Sequence, residues 1–134
     1  MKNIQPIFLV DDDEDDRLLL KEAFASVSGQ IPIIEIQSGY ELVELLDTKP
    51  IDQYPSLILL DMNMPRMSGL EVLSVIKHNQ ALNRIPIIMV STSSSRDQVH
   101  DALEQGVAAY ITKPITMAEY LEIAREIVRT YFNE

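Results

Sequence analysis

The stretch Leu57-Ile58-Leu59-Leu60-Asp61-Met62-Asn63-Met64-Pro65-Arg66-Met67-Ser68-Gly69-Leu70-Glu71 carries most of the information about the fold. Its first four residues are apolar at consecutive positions, as in a strand covered on both faces. The run stops abruptly at the carboxylate of Asp61. After a loop containing Pro65, Ser68 and Glu71 have the spacing of a capping box. In that box the first side chain satisfies a free N–H of the helix start and the fourth reaches back. Leu70, Leu73 and Ile76 then recur at helical spacing. The segment reads as strand, loop and helix, with an acid at the end of the strand.

The same unit recurs on either side. Apolar runs of strand length occur at Ile7-Phe8-Leu9-Val10, Ile31 to Ile36, Ile85 to Val90 and Ala108 to Ile111. Further capping boxes fall at Ser38-Gly39-Tyr40-Glu41, Ser95-Arg96-Asp97-Gln98 and Thr116-Met117-Ala118-Glu119. The last helix carries its stripe at Tyr120, Leu121, Ala124, Ile127, Val128 and Tyr131. Asp47 to Tyr54, with Pro50 and Pro55 nearby, reads as a surface loop. Strand and helix thus alternate five times, which gives a parallel sheet with helices on both faces. In such sheets ligands bind beyond the carboxyl ends of the strands, at a switch in strand order. The residues to inspect are therefore Asp11 onward, Asp61 onward, Ser91 onward and Lys113.

Composition narrows the chemistry. The 134 residues suit one compact domain spanning 1–134, and 46% hydrophobic with 24% charged residues is a globular balance. There is no cysteine, which excludes disulfides, zinc-thiolate sites and thiol nucleophiles. The formal net charge of -10 disfavours nucleic acid and anionic membrane as partners. No apolar run is long enough to span a bilayer, and Met1 to Pro6 lacks the apolar stretch of a signal peptide, so the cytoplasm is expected.

Much of the negative charge follows the first strand, in Asp11-Asp12-Asp13-Glu14-Asp15-Asp16. Asp13, Glu14, Asp15 and Asp16 are read as acids favoured by the macrodipole at a helix start. Asp11 and Asp12 sit on the strand end itself. If strands one and three are neighbours, Asp11, Asp12 and Asp61 converge. Two like charges about 4 Å apart repel by roughly 4 kcal/mol at an effective dielectric near 20. Such a group calls for a cation, and an oxygen-only donor set points to Mg²⁺, with Mn²⁺ as a substitute. Lys113 follows the fifth strand and can reach the same crevice; the competing reading is a snorkelling surface lysine. Pro114 is a position where a cis peptide would fix the direction of that side chain. Ser91 ends the fourth strand, where its hydroxyl either faces the crevice or bonds within the loop. A metal-bound carboxylate cluster with one lysine and one hydroxyl suits phosphoryl transfer, in which positioning and charge neutralisation dominate. An aspartate nucleophile would form an acyl phosphate.

The motifs together resemble the receiver domains of bacterial response regulators. Phe8-Leu9-Val10-Asp11-Asp12-Asp13 is similar to their first strand and acidic pair, and Leu59 to Leu70 to their phosphorylation strand and loop. Ile88-Met89-Val90-Ser91 resembles the strand with the switch hydroxyl, and Tyr110-Ile111-Thr112-Lys113-Pro114 the strand with the lysine. The resemblance implies a flavodoxin-like, doubly wound five-stranded parallel sheet of order 2-1-3-4-5 with five helices. It implies Asp61 as phosphoacceptor, with Asp12 as direct metal ligand and Asp11 binding the metal through water. The main-chain carbonyl of Asn63 would complete the ligand set. Lys113 would bind a phosphoryl oxygen, Ser91 would bond the phosphoryl group, and Tyr110 would move inward with Ser91. The implied partners are a sensor histidine kinase or histidine phosphotransfer protein and an unknown downstream target contacting the fourth helix, fifth strand and fifth helix. Ser91 stands where threonine is common, which keeps the hydroxyl and loses a methyl. No external substrate turnover is expected.

Three other readings fit less well. A haloacid-dehalogenase-type phosphatase needs an acid two residues after its aspartate, where this chain has Asn63. A flavodoxin-like electron carrier needs a phosphate loop after the first strand, where Asp11 to Asp16 would repel the flavin phosphate. A phosphorylation-silent adaptor of the same fold does not need Asp11, Asp12, Asp61 and Lys113 together.

Overall fold

The computed structural model describes residues 4–92 and 95–132. Five strands, β1 (Ile7–Val10), β2 (Ile33–Ile36), β3 (Leu57–Asp61), β4 (Ile87–Ser91) and β5 (Ala109–Thr112), alternate with five α-helices. These are α1 (Glu14–Val27), α2 (Gly39–Thr48), α3 (Gly69–Lys77), α4 (Arg96–Glu104) and α5 (Met117–Phe132). All strand pairs are parallel, in the order β2-β1-β3-β4-β5. The architecture is the doubly wound sheet expected from the sequence.

Consecutive apolar residues are needed because the central strands β1, β3 and β4 are buried at every position. Alternate side chains enter two separate cores. Phe8, Val10, Ile58, Leu60 and Met89 pack against Leu42 and Leu46 of α2, Val72, Leu73 and Ile76 of α3, and Ala102 of α4. Ile7, Leu9, Leu57, Leu59, Ile88 and Val90 pack against Leu20 and Phe24 of α1 and Tyr120, Ala124, Ile127 and Val128 of α5. Each fully buried side chain of this size contributes roughly 1.5–3 kcal/mol, far more than helix propensity supplies per residue.

The boundaries differ from expectation for a local reason. β2 and β4 begin two residues later than the apolar runs, each directly after a proline, Pro32 or Pro86. Proline has no N–H for the ladder, but its carbonyl still serves. Pro32 O accepts from Ile7 N and Pro86 O from Ile58 N, each at 3.0 Å. The Asp47–Tyr54 connection is partly ordered too: α2 reaches Thr48, and Ile51–Gln53 forms one 3₁₀ turn.

Helix starts follow the capping chemistry with two exceptions. Ser68 and Glu71 form the reciprocal box, Ser38 accepts from Glu41 N, and Thr116 and Glu119 bond each other's backbone N–H groups. Ser95 occupies the N-cap position of α4 without a side-chain cap bond. At α1 the cap is Asp13, whose carboxylate accepts from Asp15 N and Asp16 N. Asp13 therefore does more than complement the helix dipole.

Candidate functional site

The ladder runs one step past the strands and fixes the residues at their carboxyl ends. Asp11 N donates to Ile36 O at 3.1 Å, Met62 N to Val90 O at 2.9 Å, and Lys113 N to Ser91 O at 2.7 Å. Asp61 stands opposite Val90 and Ser91 opposite Thr112 in the strand register. Because β1 and β3 are neighbours, the sheet brings Asp11, Asp12, Asp61, Ser91 and Lys113 to one edge.

At that edge Asp11, Asp12 and Asp61 each offer a carboxylate oxygen, all within 4.8 Å of one another. Asp11 and Asp61 are buried, whereas Asp12 is exposed. The two buried carboxylates are held in the same way. Asp11 Oδ1 accepts from Asp13 N at 2.9 Å, and Asp61 Oδ1 accepts from Asn63 N at 3.0 Å. One oxygen of each is thereby oriented by the chain two residues on.

The other oxygen of each faces Lys113. Its Nζ lies 3.1 Å from Asp11 Oδ2 and 3.6 Å from Asp61 Oδ2. Its closest partner is Asp16 Oδ2 at 2.7 Å. Its place at a helix start gives Asp16 a dipole role; the fold instead puts it on the lysine. The Lys113–Pro114 bond is trans, since no cis peptide occurs among the described residues. Carboxylates and the ladder bond, rather than a cis proline, set the direction of Lys113.

Burial dominates the electrostatics. It pushes Asp61 up to about 6, aided by the charge of Asp11 and opposed by the Asn63 N–H and Lys113. Asp11 is also raised, again by burial first, although its bonds from Asp13 N and Lys113 pull the other way. For Lys113 burial favours the neutral form, yet its bond to Asp16 and the charges of Asp11 and Asp61 outweigh it and raise the group above its usual range. The site thus holds a firmly charged ammonium among acids that would accept a further cation. Three oxygen donors, with no sulfur or nitrogen, fit a hard divalent ion such as Mg²⁺.

Two supporting side-chain roles, of Asn63 and Arg17, are not legible in the sequence. Asn63, expected to act through its main-chain carbonyl, also uses its side chain: Oδ1 accepts from Ser91 Oγ at 2.8 Å and from Thr92 Oγ1 at 3.4 Å. Ser91 is fully buried, and its hydroxyl is directed to the loop after β3. Arg17 is buried behind the site; its guanidinium donates to Asp11 O and, at 3.1 Å, to Glu35 Oε1. An arginine one residue past a helical acid run gives no sign of burial until β2 supplies Glu35. Tyr110, on β5, is half-buried against the core on the α3 and α4 side.

A parallel five-stranded sheet with acids at the ends of its first and third strands and a lysine after its fifth is the arrangement of a response regulator receiver. The chain belongs to the response regulator receiver domain family, whose model matches residues 7–125. It is 32% identical over 126 residues to response regulator Rcp1 of Synechocystis, covering 90% of this chain and 84% of that one. It is likewise 32% identical over 120 residues to the chemotaxis protein CheY1 of Helicobacter pylori, covering 87% and 94%. Among solved structures, the phosphorylated cyanobacterial phytochrome response regulator RcpA superposes with a TM-score of 0.87 at 31% identity, over 97% of this chain and 95% of that one. The Mn²⁺-bound form of Rcp1 gives a TM-score of 0.83 at 30% identity, over 95% and 94%. Among the described residues no helix is long and apolar enough to cross a membrane.

Proposed function

We propose that this receiver accepts a phosphoryl group on Asp61 from a phosphohistidine of a sensor histidine kinase or histidine phosphotransfer protein. The observation that carries the reading is the position of Asp61 Oδ2. Its partner oxygen is held by Asn63 N, while Oδ2 stands 3.6 Å from Lys113 Nζ, beyond hydrogen-bond reach. That oxygen is available to attack phosphorus. The bond formed joins Asp61 Oδ2 to phosphorus; the bond broken joins phosphorus to the donor, which leaves with the electron pair.

Asp12 and Asp61 would hold Mg²⁺ directly, Asp11 through water, and the main-chain carbonyl of Asn63 would complete the protein donors. Mn²⁺ would substitute on the same oxygens, a reading supported by the Mn²⁺-bound form of the relative Rcp1. When bound, the cation neutralises negative charge on the phosphoryl oxygens. Lys113 would supply a second positive charge beside Asp61.

Ser91 would give up its bond to Asn63 and donate to the phosphoryl group, and Tyr110 would follow it inward. The surface of α4, β5 and α5 would then be read by a downstream protein, the usual logic of a local charge change biasing a two-state element. The net charge of -10 argues for a protein target over nucleic acid or membrane, and the compartment proposed is the cytoplasm. No turnover of an external substrate is proposed.

The test is intact mass after incubation with acetyl phosphate, with and without Mg²⁺, alongside Asp61→Asn. One phosphoryl group gained only with Mg²⁺ and only with Asp61 intact is the expected result. Labelling of Asp61→Asn to the wild-type level would overturn the assignment.

A further inference from the structure

Lys113 has three N–H donors, and its shortest partner is not the proposed phosphoacceptor. Nζ lies 2.7 Å from Asp16 Oδ2, 3.1 Å from Asp11 Oδ2 and 3.6 Å from Asp61 Oδ2. Asp16 is free to make this bond because the helix does not use it. Three residues after the N-cap, a Glu or Gln side chain reaches back to the N-cap N–H in a capping box, and Asp16 holds that position with a shorter carboxylate. Here the N-cap is Asp13, and its N–H already donates to Asp11 Oδ1 at 2.9 Å. The packing of α1 beside α5 then presents the spare carboxylate to the lysine that follows β5.

We propose that Asp16 is a positioning residue that competes with the phosphoryl group for Lys113, restraining both formation and occupancy of the phosphorylated state at Asp61. This rests on the reading of Asp61 as phosphoacceptor and Lys113 as its cationic partner. A phosphoryl oxygen attached to Asp61 draws on the same ammonium that Asp16 already holds. The carboxylate both directs one N–H away from Asp61 and cancels part of the charge felt there. Lys113 would not drift into solvent without Asp16, because Asp11 Oδ2 and the bond from Lys113 N to Ser91 O remain.

The test is a beryllofluoride titration in Mg²⁺, with acetyl phosphate labelling followed by intact mass, on wild type, Asp16→Asn, Asp16→Glu and Asp15→Asn. Asp15 is exposed on the same helical turn, so its substitution removes an equal charge without touching Lys113. Asp16→Asn should bind beryllofluoride about tenfold more tightly and label about tenfold faster at subsaturating acetyl phosphate. Asp16→Glu should return both to wild-type values, and Asp15→Asn should stay within about twofold, as a distant surface charge does. An Asp16→Asn protein equal to or weaker than wild type overturns the proposal, and so does an Asp15→Asn protein that matches it. Asp16→Ser carries the same expectation should the asparagine variant not fold. Wild type that takes neither beryllofluoride nor a phosphoryl group overturns the phosphoacceptor reading itself, and the role of Asp16 with it.

Discussion

The hydroxyl of Ser91 donates to the side-chain oxygen of Asn63 at 2.8 Å, tying the end of β4 to the loop after β3. This bond crosses from one strand's exit to the next at the point where Asp61 leaves the sheet. It occupies the hydroxyl that the phosphoryl group would need. Ser91→Ala should therefore still label with acetyl phosphate but lose much of the structural response. The lost bond should cost roughly 0.5–1.5 kcal/mol in urea unfolding. Amide chemical-shift changes on phosphorylation that match wild type across β4 and β5 would contradict the switching role.

Asp61 makes the metal-free protein pH-sensitive in a definite direction. Its ordinary value is 3.8, and burial together with Asp11 raises it to about 6 in the folded chain. Between those values the folded state holds a proton that the unfolded state has released. Stability from this group is thus fully present below about 4 and is lost as pH rises through about 6. With EDTA present, Asp61→Asn should exceed wild type in stability at pH 7.5 by about 1–2 kcal/mol, discounted for partial screening. The advantage should disappear near pH 4. Urea unfolding at both pH values measures it, and a constant difference would refute the assignment.

Mg²⁺ should stabilise the fold, because it relieves the same repulsion and binds only the folded arrangement. The thermal midpoint of wild type should rise with Mg²⁺ concentration. Asp12 is exposed, so Asp12→Ala should leave the metal-free protein within about 0.5 kcal/mol of wild type. Its Mg²⁺ affinity should fall by about tenfold or more. An unchanged titration would remove Asp12 from the ligand set.

Gly69 permits α3 to approach the end of β3 closely. A Cβ there would lie 2.7 Å from Asp61 O and 2.8 Å from Met62 Cα. Both are backbone atoms that cannot rotate aside. Gly69→Ala should destabilise the protein by roughly 1–3 kcal/mol and slow labelling of Asp61 by displacing its main chain. Denaturant unfolding and labelling rates check the two effects separately.

Arg17 supports the acidic edge from behind. Replacing it by alanine leaves Asp11 O and Glu35 without their buried donor. Lys21 keeps its own 3.0 Å bond to Glu35, which limits the loss. Arg17→Ala should cost about 2–3 kcal/mol in urea unfolding. Lysine should recover only part of this, since it cannot donate to both partners in the same fork.

Several features were already fixed along the chain. Consecutive apolar residues such as Leu57 to Leu60 require a strand covered on both faces, and Ser68 with Glu71 marks where the following helix starts. These are local facts, set by backbone chemistry over a few residues. The alternation of such units leaves little freedom in the fold, and the break from Leu60 to Asp61 places a carboxylate at the strand exit. Pro32 and Pro86 moved two strand starts because a missing N–H matters only once the neighbouring strand is in place.

The partners across the site were decided by tertiary structure alone. Asp13, Glu14, Asp15 and Asp16 are equivalent acids in sequence, yet the first caps α1 and the last holds Lys113, 97 positions away. Asn63 likewise reads as a loop residue until β4 brings Ser91 to its side chain. Short-range pattern can place a charged group at an edge. Which other charge it meets depends on strand order and helix packing, because Coulombic and hydrogen-bond energies are set by distances in space.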